Sequence, residues 1–182
     1  IVASSSNNVI YLFDKDSSTP LWSYSIGSIA GDVAISSNGE YIAVASEGDS
    51  DKLFLFDKDS STPLWSYSTS GNVDYVDISA TGDYIVAAHN DDLYLFSKES
   101  STPTRTYDTD GGIRGLTISA DTEYIAVSAT DDRVYLFSKD SSDPIWYYDG
   151  ASDYSQSVEI SADGEYIVAG SNDNKVYLFD KD

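Results

Sequence analysis

A lone histidine, His89, stands two residues before Asp91 in a chain crowded with serines. Those residue types could form a charge-relay nucleophile, in which the imidazole takes a proton from a serine and a carboxylate orients the ring. The spacing argues against it. The serines cluster in turn-like stretches, none lies in a G-x-S-x-G elbow, and a loop histidine near an aspartate reads as surface decoration. No catalytic residue is expected.

Oxygen ligands are the next candidates. "DKDSS" at Asp14 and Asp57, with a variant around Asp140, alternates carboxylates and hydroxyls of the kind calcium prefers. Further acids fall in loops at Asp49, Asp51, Asp91, Asp92, Asp131, Asp132 and Asp173. The glycine and bidentate glutamate of a closed calcium loop are missing. Aspartate and serine side chains also shape turns by bonding nearby backbone amides, and that reading is preferred here. Neither a metal site nor a cofactor is expected.

The composition narrows the field further. There is no Cys, so disulfides, zinc-thiolate sites and thiol catalysis are excluded. Apolar residues make up 41% and aromatics 13%, which are values of a folded chain. Thirty-one acids against ten bases give a net charge of −21, a field that repels nucleic-acid phosphates and anionic lipid. The acidity reads as a solvated surface. No apolar run approaches the roughly 18 residues of a membrane span.

The elements that must carry these residues repeat. Phe13, Phe56, Phe96, Phe137 and Phe179 each close an apolar run, at spacings of 43, 40, 41 and 42 residues. Pro20, Pro63, Pro103 and Pro144 share one slot, and Trp22, Trp65 and Trp146 share another, with Arg105 replacing tryptophan in the third copy. Periods of 40 to 45 residues are those of propeller blades. His89 aligns with Ser46, Ala129 and Ser171, so it is a singleton.

Within each copy the apolar period is two, which predicts strands and no helix. A first strand, such as "VEIS" from Val158, leads through a tight turn to a second, such as "YIVAGS" from Tyr166. Three of the four turns carry Gly for a positive φ (Gly39, Gly82, Gly164), and Thr122 in the fourth predicts a distorted turn. The third strand, "VYLF" from Val176, is apolar on both faces, so each sheet needs a neighbour on both sides. The fourth, "PLWSYS" from Pro20, is an outer edge opened by proline, with a tryptophan placed to lie between blades. The predicted fold is all-β: a β-propeller over 1–182, built of four-stranded antiparallel blades. The predicted structural residues between blades are Trp22, Trp65, Trp146 and the five phenylalanines.

"VEISADGEYIVAGSNDNKVYLFDKD" from Val158 resembles the WD40 repeat, although "YLFDKD" stands where that family writes Leu-Trp-Asp. "FDKDSSTPLWSYSTSG" from Phe56 resembles the quinoprotein-type repeat, whose outer-strand tryptophan docks blades together. The resemblance covers the whole chain and implies a prokaryotic surface or secreted propeller. A quinone site of the quinoprotein kind needs adjacent cysteines or a base over the ring, and this chain lacks them, so the resemblance implies the fold alone.

Propellers host many functions. The leading expectation is a non-enzymatic platform outside the cell or at its surface, with a protein or further copies of itself as partner. A carbohydrate- or small-ligand-binding propeller using Tyr75, Tyr147 and Tyr154 is the alternative, and a fragment of a propeller enzyme comes last. Arg105 and Arg114, two of only three arginines, read as drift at exposed positions or as a partner-facing patch. The chain opens within a second strand and stops after a third. Eighteen strands then make about five blades, which predicts part of a larger ring completed by further chain or another copy.

Overall fold

The computed structural model describes residues 1–48 and 51–182, and Asp49 of the predicted loop acids lies outside them. The regular elements are strands, in five antiparallel sheets that follow one another along the chain. Sheet one holds β1 (Val2–Ser5), β2 (Val9–Phe13) and β3 (Pro20–Ser25). Sheet two holds β4 (Ile29–Ile35), β5 (Tyr41–Glu47), β6 (Lys52–Asp57) and β7 (Trp65–Ser68). Sheet three holds β8 (Tyr75–Ile78), β9 (Tyr84–His89), β10 (Asp92–Ser97) and β11 (Arg105–Asp108). Sheet four holds β12 (Ile113–Ile118), β13 (Tyr124–Ala129), β14 (Val134–Ser138) and β15 (Pro144–Tyr148). Sheet five ends the chain with β16 (Ser155–Ile160), β17 (Tyr166–Ser171) and β18 (Val176–Asp180). Each sheet is a meander, the blade of a β-propeller.

The third strands explain how the blades cohere. Because side chains alternate across a strand, β10 sends Leu93 and Leu95 toward sheet four, among Ile125, Val127 and Phe137. Its Phe96 points the other way, among Leu53, Leu55 and Ile85. Four such joints form the core, one between each successive pair of sheets. Each fully buried Leu or Phe contributes about 1.5–3 kcal/mol.

The hairpin turns are built by one recurring serine. Ser36 Oγ accepts the Tyr41 amide at 3.0 Å, and the Ser36 carbonyl accepts the Gly39 amide at 2.7 Å. Ser79, Ser119 and Ser161 repeat the arrangement. The predicted distortion at Thr122 is absent. Its φ of 72° matches the 74°, 77° and 72° of Gly39, Gly82 and Gly164, and its amide reaches the Ser119 carbonyl at 2.9 Å. The serine scaffold holds a β-branched residue in the left-handed region, where sterics disfavour it.

The outer strands carry a shared irregularity. The register of β3 on β2 shifts between Leu12–Trp22 and Phe13–Pro20, and β15 on β14 shifts at the same place. The extra residues are Leu21 and Ile145, and such bulges re-aim a side chain at a sheet edge. Pro63 and Pro103 lie just before β7 and β11 rather than opening them. The amides of Leu64 and Thr104 still bond to Leu55 and Leu95, at 2.8 and 2.7 Å.

Candidate interaction surface

The outer half of each joint follows one design. Trp22 Nε1 donates to the Lys58 carbonyl of the next sheet at 2.7 Å, Trp65 to Lys98 at 2.7 Å, and Trp146 to Lys181 at 2.8 Å. Each indole packs 5.5 Å from a phenylalanine of that sheet: Phe56, Phe96 and Phe179. Phe137 has no indole and keeps the tyrosine contact common to the joints, with Tyr107 at 4.9 Å, as Tyr24, Tyr67 and Tyr148 meet Phe56, Phe96 and Phe179 at 5.1–5.2 Å. Phe13 in the first sheet meets Tyr11 at 6.0 Å.

Arg105 is neither drift nor a patch. Its Nε donates to the Lys139 carbonyl at 2.7 Å, in the place of the missing indole. Arg114 sits exposed at an inner-strand irregularity, 5.8 Å from the Tyr154 ring.

A repeated lysine went unnoticed in the sequence. Lys58, Lys98, Lys139 and Lys181 reach back to Glu40, Asp83, Glu123 and Glu165 in the hairpin turns, at 2.8–3.4 Å. Such exposed pairs are worth little each. Lys98 Nζ also lies 4.9 Å from the Tyr41 ring centroid. The signal was present in "GEY", "GDY", "TEY" and "GEY", an acid before each second-strand tyrosine.

Between sheets two and three this design opens a cleft of about 310 Å³, lined by Tyr41, Asp57, Leu64, Trp65, Lys98 and Glu99. Leu64 is 52% exposed there, and its equivalents Leu21 and Ile145 are 61% and 48% exposed. The outer rim therefore offers an aliphatic side chain beside a tryptophan, edged by both charges. That surface can hold an apolar or aromatic side chain.

His89 is not surface decoration. It is 6% exposed, at the end of β9. Its Nδ1 lies 2.9 Å from the Asn72 carbonyl and so carries the proton, leaving Nε2 to accept from Ser70 Oγ and Asn90 Nδ2, each at 3.2 Å. A Cβ on Gly71 would come within 2.7 Å of the ring. The ring is a strut for the loop before β8, and a carbonyl rather than a carboxylate orients it.

The acidic turns bond to themselves. Asp14 accepts the Asp16 amide at 2.9 Å and Asp57 the Asp59 amide at 2.8 Å. At the third and fourth copies the serines Ser97 and Ser138 take that role toward Glu99 and Asp140. Among the loop acids, Asp92, Asp131 and Asp173 accept the hydroxyls of Tyr94, Tyr135 and Tyr177. That bond holds the Asp173 carboxyl well below the usual carboxylate range. Asp51 keeps one buried oxygen without a partner among the described residues, the Asp91 carbonyl accepts from Thr109, and Asp132 stands at a positive φ. Glu165, Asp180 and Asp182 converge at the end of sheet five, where Lys181 bridges Glu165 and Asp182.

The three tyrosines of the ligand-binding alternative are not brought together. Tyr75 lies on the inner strand β8 and packs into the joint with sheet four. Tyr147 lies on the outer strand β15, with the Arg133 guanidinium 4.5 Å above it. Tyr154 precedes the inner strand β16.

A family profile described as outer membrane protein assembly factor BamB matches residues 6–182. The chain belongs to that family. Its repeats are the quinoprotein-type blades that the tryptophan slot suggested, and the match runs from the turn after β1 through sheet five. A comparison with curated proteins gave no match. Among the described residues no helix is long and apolar enough to cross a membrane.

Proposed function

We propose that this BamB-like propeller is a non-enzymatic interaction module that binds protein partners through its outer rim, on the envelope side of a cell. One observation carries the reading. The outer edges of sheets one, two and four repeat an exposed aliphatic residue (Leu21, Leu64, Ile145) beside a tryptophan fixed by a hydrogen bond. A rigid aromatic next to an exposed aliphatic, rimmed by polar groups, suits the core of a protein contact. The family's namesake is described as an assembly factor for outer membrane proteins, and protein recognition at the envelope is the property we carry over. The net charge of −21 favours partners with a basic rim around an apolar centre.

The test is site-specific photo-crosslinking in the source cells. A photoreactive residue at Leu64 or Leu21 should trap one protein, and the same residue at Asp16, in an exposed turn, should not. Equal trapping at all three positions, or none together with binding on a glycan array, would overturn the proposal.

A further inference from the structure

The acid that follows each repeated lysine behaves alike in four copies and differently in one. Asp16, Asp59, Asp140 and Asp182 each turn back onto the preceding Lys15, Lys58, Lys139 and Lys181, at 2.6–3.1 Å. In sheet three the residue is Glu99, and Lys98 pairs with Asp83 instead, at 2.8 Å. Among the described residues the Glu99 carboxylate has neither a cation nor a donor; only its amide is engaged, by Ser97. Glu99 lines the cleft between sheets two and three together with Asp57. One Asp57 oxygen accepts the Asp59 amide at 2.8 Å, while the neighbouring Lys58 goes to Glu40 and Asp59. The cleft thus carries two carboxylates without a counter-charge among the described residues, beside Leu64, Tyr41 and the half-buried Trp65.

We infer that this cleft receives an arginine side chain of the protein partner, its guanidinium at Asp57 and Glu99 and its stem along Leu64 and Trp65. The inference rests on the rim as the partner-binding surface and adds which residue the partner presents there. Size, charge and ring agree on that occupant. A cleft of about 310 Å³ stands at the small end of ligand pockets and suits one side chain. Two carboxylates call for a cation, since the one lysine in the cleft is already matched by Asp83. A guanidinium is more weakly hydrated than an ammonium, offers carboxylates several donors in one plane, and stacks on aromatic rings. The other joints lack this set. Ser138 stands where Asp57 does at the joint of sheets four and five. Between sheets three and four, Ser97, Thr104 and Arg105 replace Asp57, Leu64 and Trp65. Between sheets one and two, Asp59 takes the slot of Glu99 and is neutralised by Lys58.

The probes are three blocked tripeptides, acetyl-Ala-X-Ala-amide with arginine, lysine or leucine at the centre. NMR of the isotope-labelled chain follows the Glu99 amide and the Trp65 indole N–H, the latter assigned by its loss in Trp65→Phe. The arginine peptide should shift both signals to saturation, the lysine and leucine peptides should bind more weakly, and added salt should loosen the arginine peptide. Glu99→Gln and Asp57→Asn should each weaken it about two- to five-fold, the worth of one exposed ion pair. Both replacements keep an acceptor oxygen, so the turn at Asp57 survives. Asp16→Asn, in an exposed turn outside the cleft, should change nothing. No shift with the arginine peptide would overturn the inference, as would carboxylate variants that bind it like the parent. A lysine or leucine peptide that binds as tightly as the arginine one would also overturn it. That outcome would leave the rim reading intact, because crosslinking at Leu64 decides it separately.

Discussion

Arg105 and Lys139 are joined as Trp22 and Lys58 are: a side-chain N–H donates to the backbone carbonyl of the next sheet at 2.7 Å in both. The guanidinium keeps the bond and gives up the indole's contact with phenylalanine. Restoring the ring with Arg105→Trp should therefore raise stability, by about 0.5–1.5 kcal/mol, the worth of an aromatic pair beyond its area. Arg105→Ala should lower it by about 1–3 kcal/mol, because the Lys139 carbonyl loses its donor. Denaturant melts of the two variants check both signs. A destabilising Arg105→Trp would show that the third joint is fitted to arginine.

Trp65 tests the same joint where the ring is native. Trp65→Ala removes both the packing on Phe96 and the bond to Lys98. The expected loss is about 3 kcal/mol, at the lower end for a large aromatic because the indole is half-buried. Trp65→Phe keeps a ring and loses only the bond, so about 1 kcal/mol is expected. Equal losses in the two variants would mean that the hydrogen bond, and not the ring, holds the joint.

The blades were legible because their anchors recur. Phe56, Phe96 and Phe137 fill one slot, and only a sheet covered on both faces needs such a run. Arg105 was not legible, since residue class hides that a guanidinium and an indole can donate along the same line. The bulges that turn Leu21 and Ile145 outward leave no mark in an alternating pattern. His89 misled because its partners are a backbone carbonyl, a serine and an asparagine, none of which a motif records. The carboxylates of Asp32 and Asp77 sit at different repeat positions, yet each bonds an amide of the following inner strand, Val76 and Ile118. A search by slots passes over them.

Thr122 holds a conformation that favours glycine, and the chain uses glycine at the three equivalent positions. Thr122→Gly should stabilise by about 1 kcal/mol: relief of left-handed strain outweighs the greater freedom of the unfolded glycine. Thermal melts with a matched Thr→Gly change at exposed Thr19 as control would measure it. A loss at Thr122 would mean that its buried side chain contributes more packing than its backbone costs.

Asp77 links stability to pH. Its carboxylate accepts the Ile118 amide at 2.9 Å, the Ile78 amide at 2.8 Å and the Thr117 hydroxyl at 3.1 Å, so it ties β8 to β12. Asp77→Ala leaves those amides without an acceptor and should cost about 1–3 kcal/mol. Burial, the largest influence, pushes this carboxyl above its ordinary 3.8, and the nearby Asp32 charge adds to the rise. The folded chain therefore keeps this proton to higher pH than the unfolded chain does. The resulting stability is fully present below pH 3.8 and is lost as pH rises through the folded value. Other carboxylates titrate in the same range, so the readout is a difference against Asp77→Asn, which carries no charge at any of these pH values. As pH falls from 7 toward 4, the parent should gain on the variant in melting temperature. A gap that shifts toward the variant on acidification would mean that the three donors, not burial, govern this carboxyl.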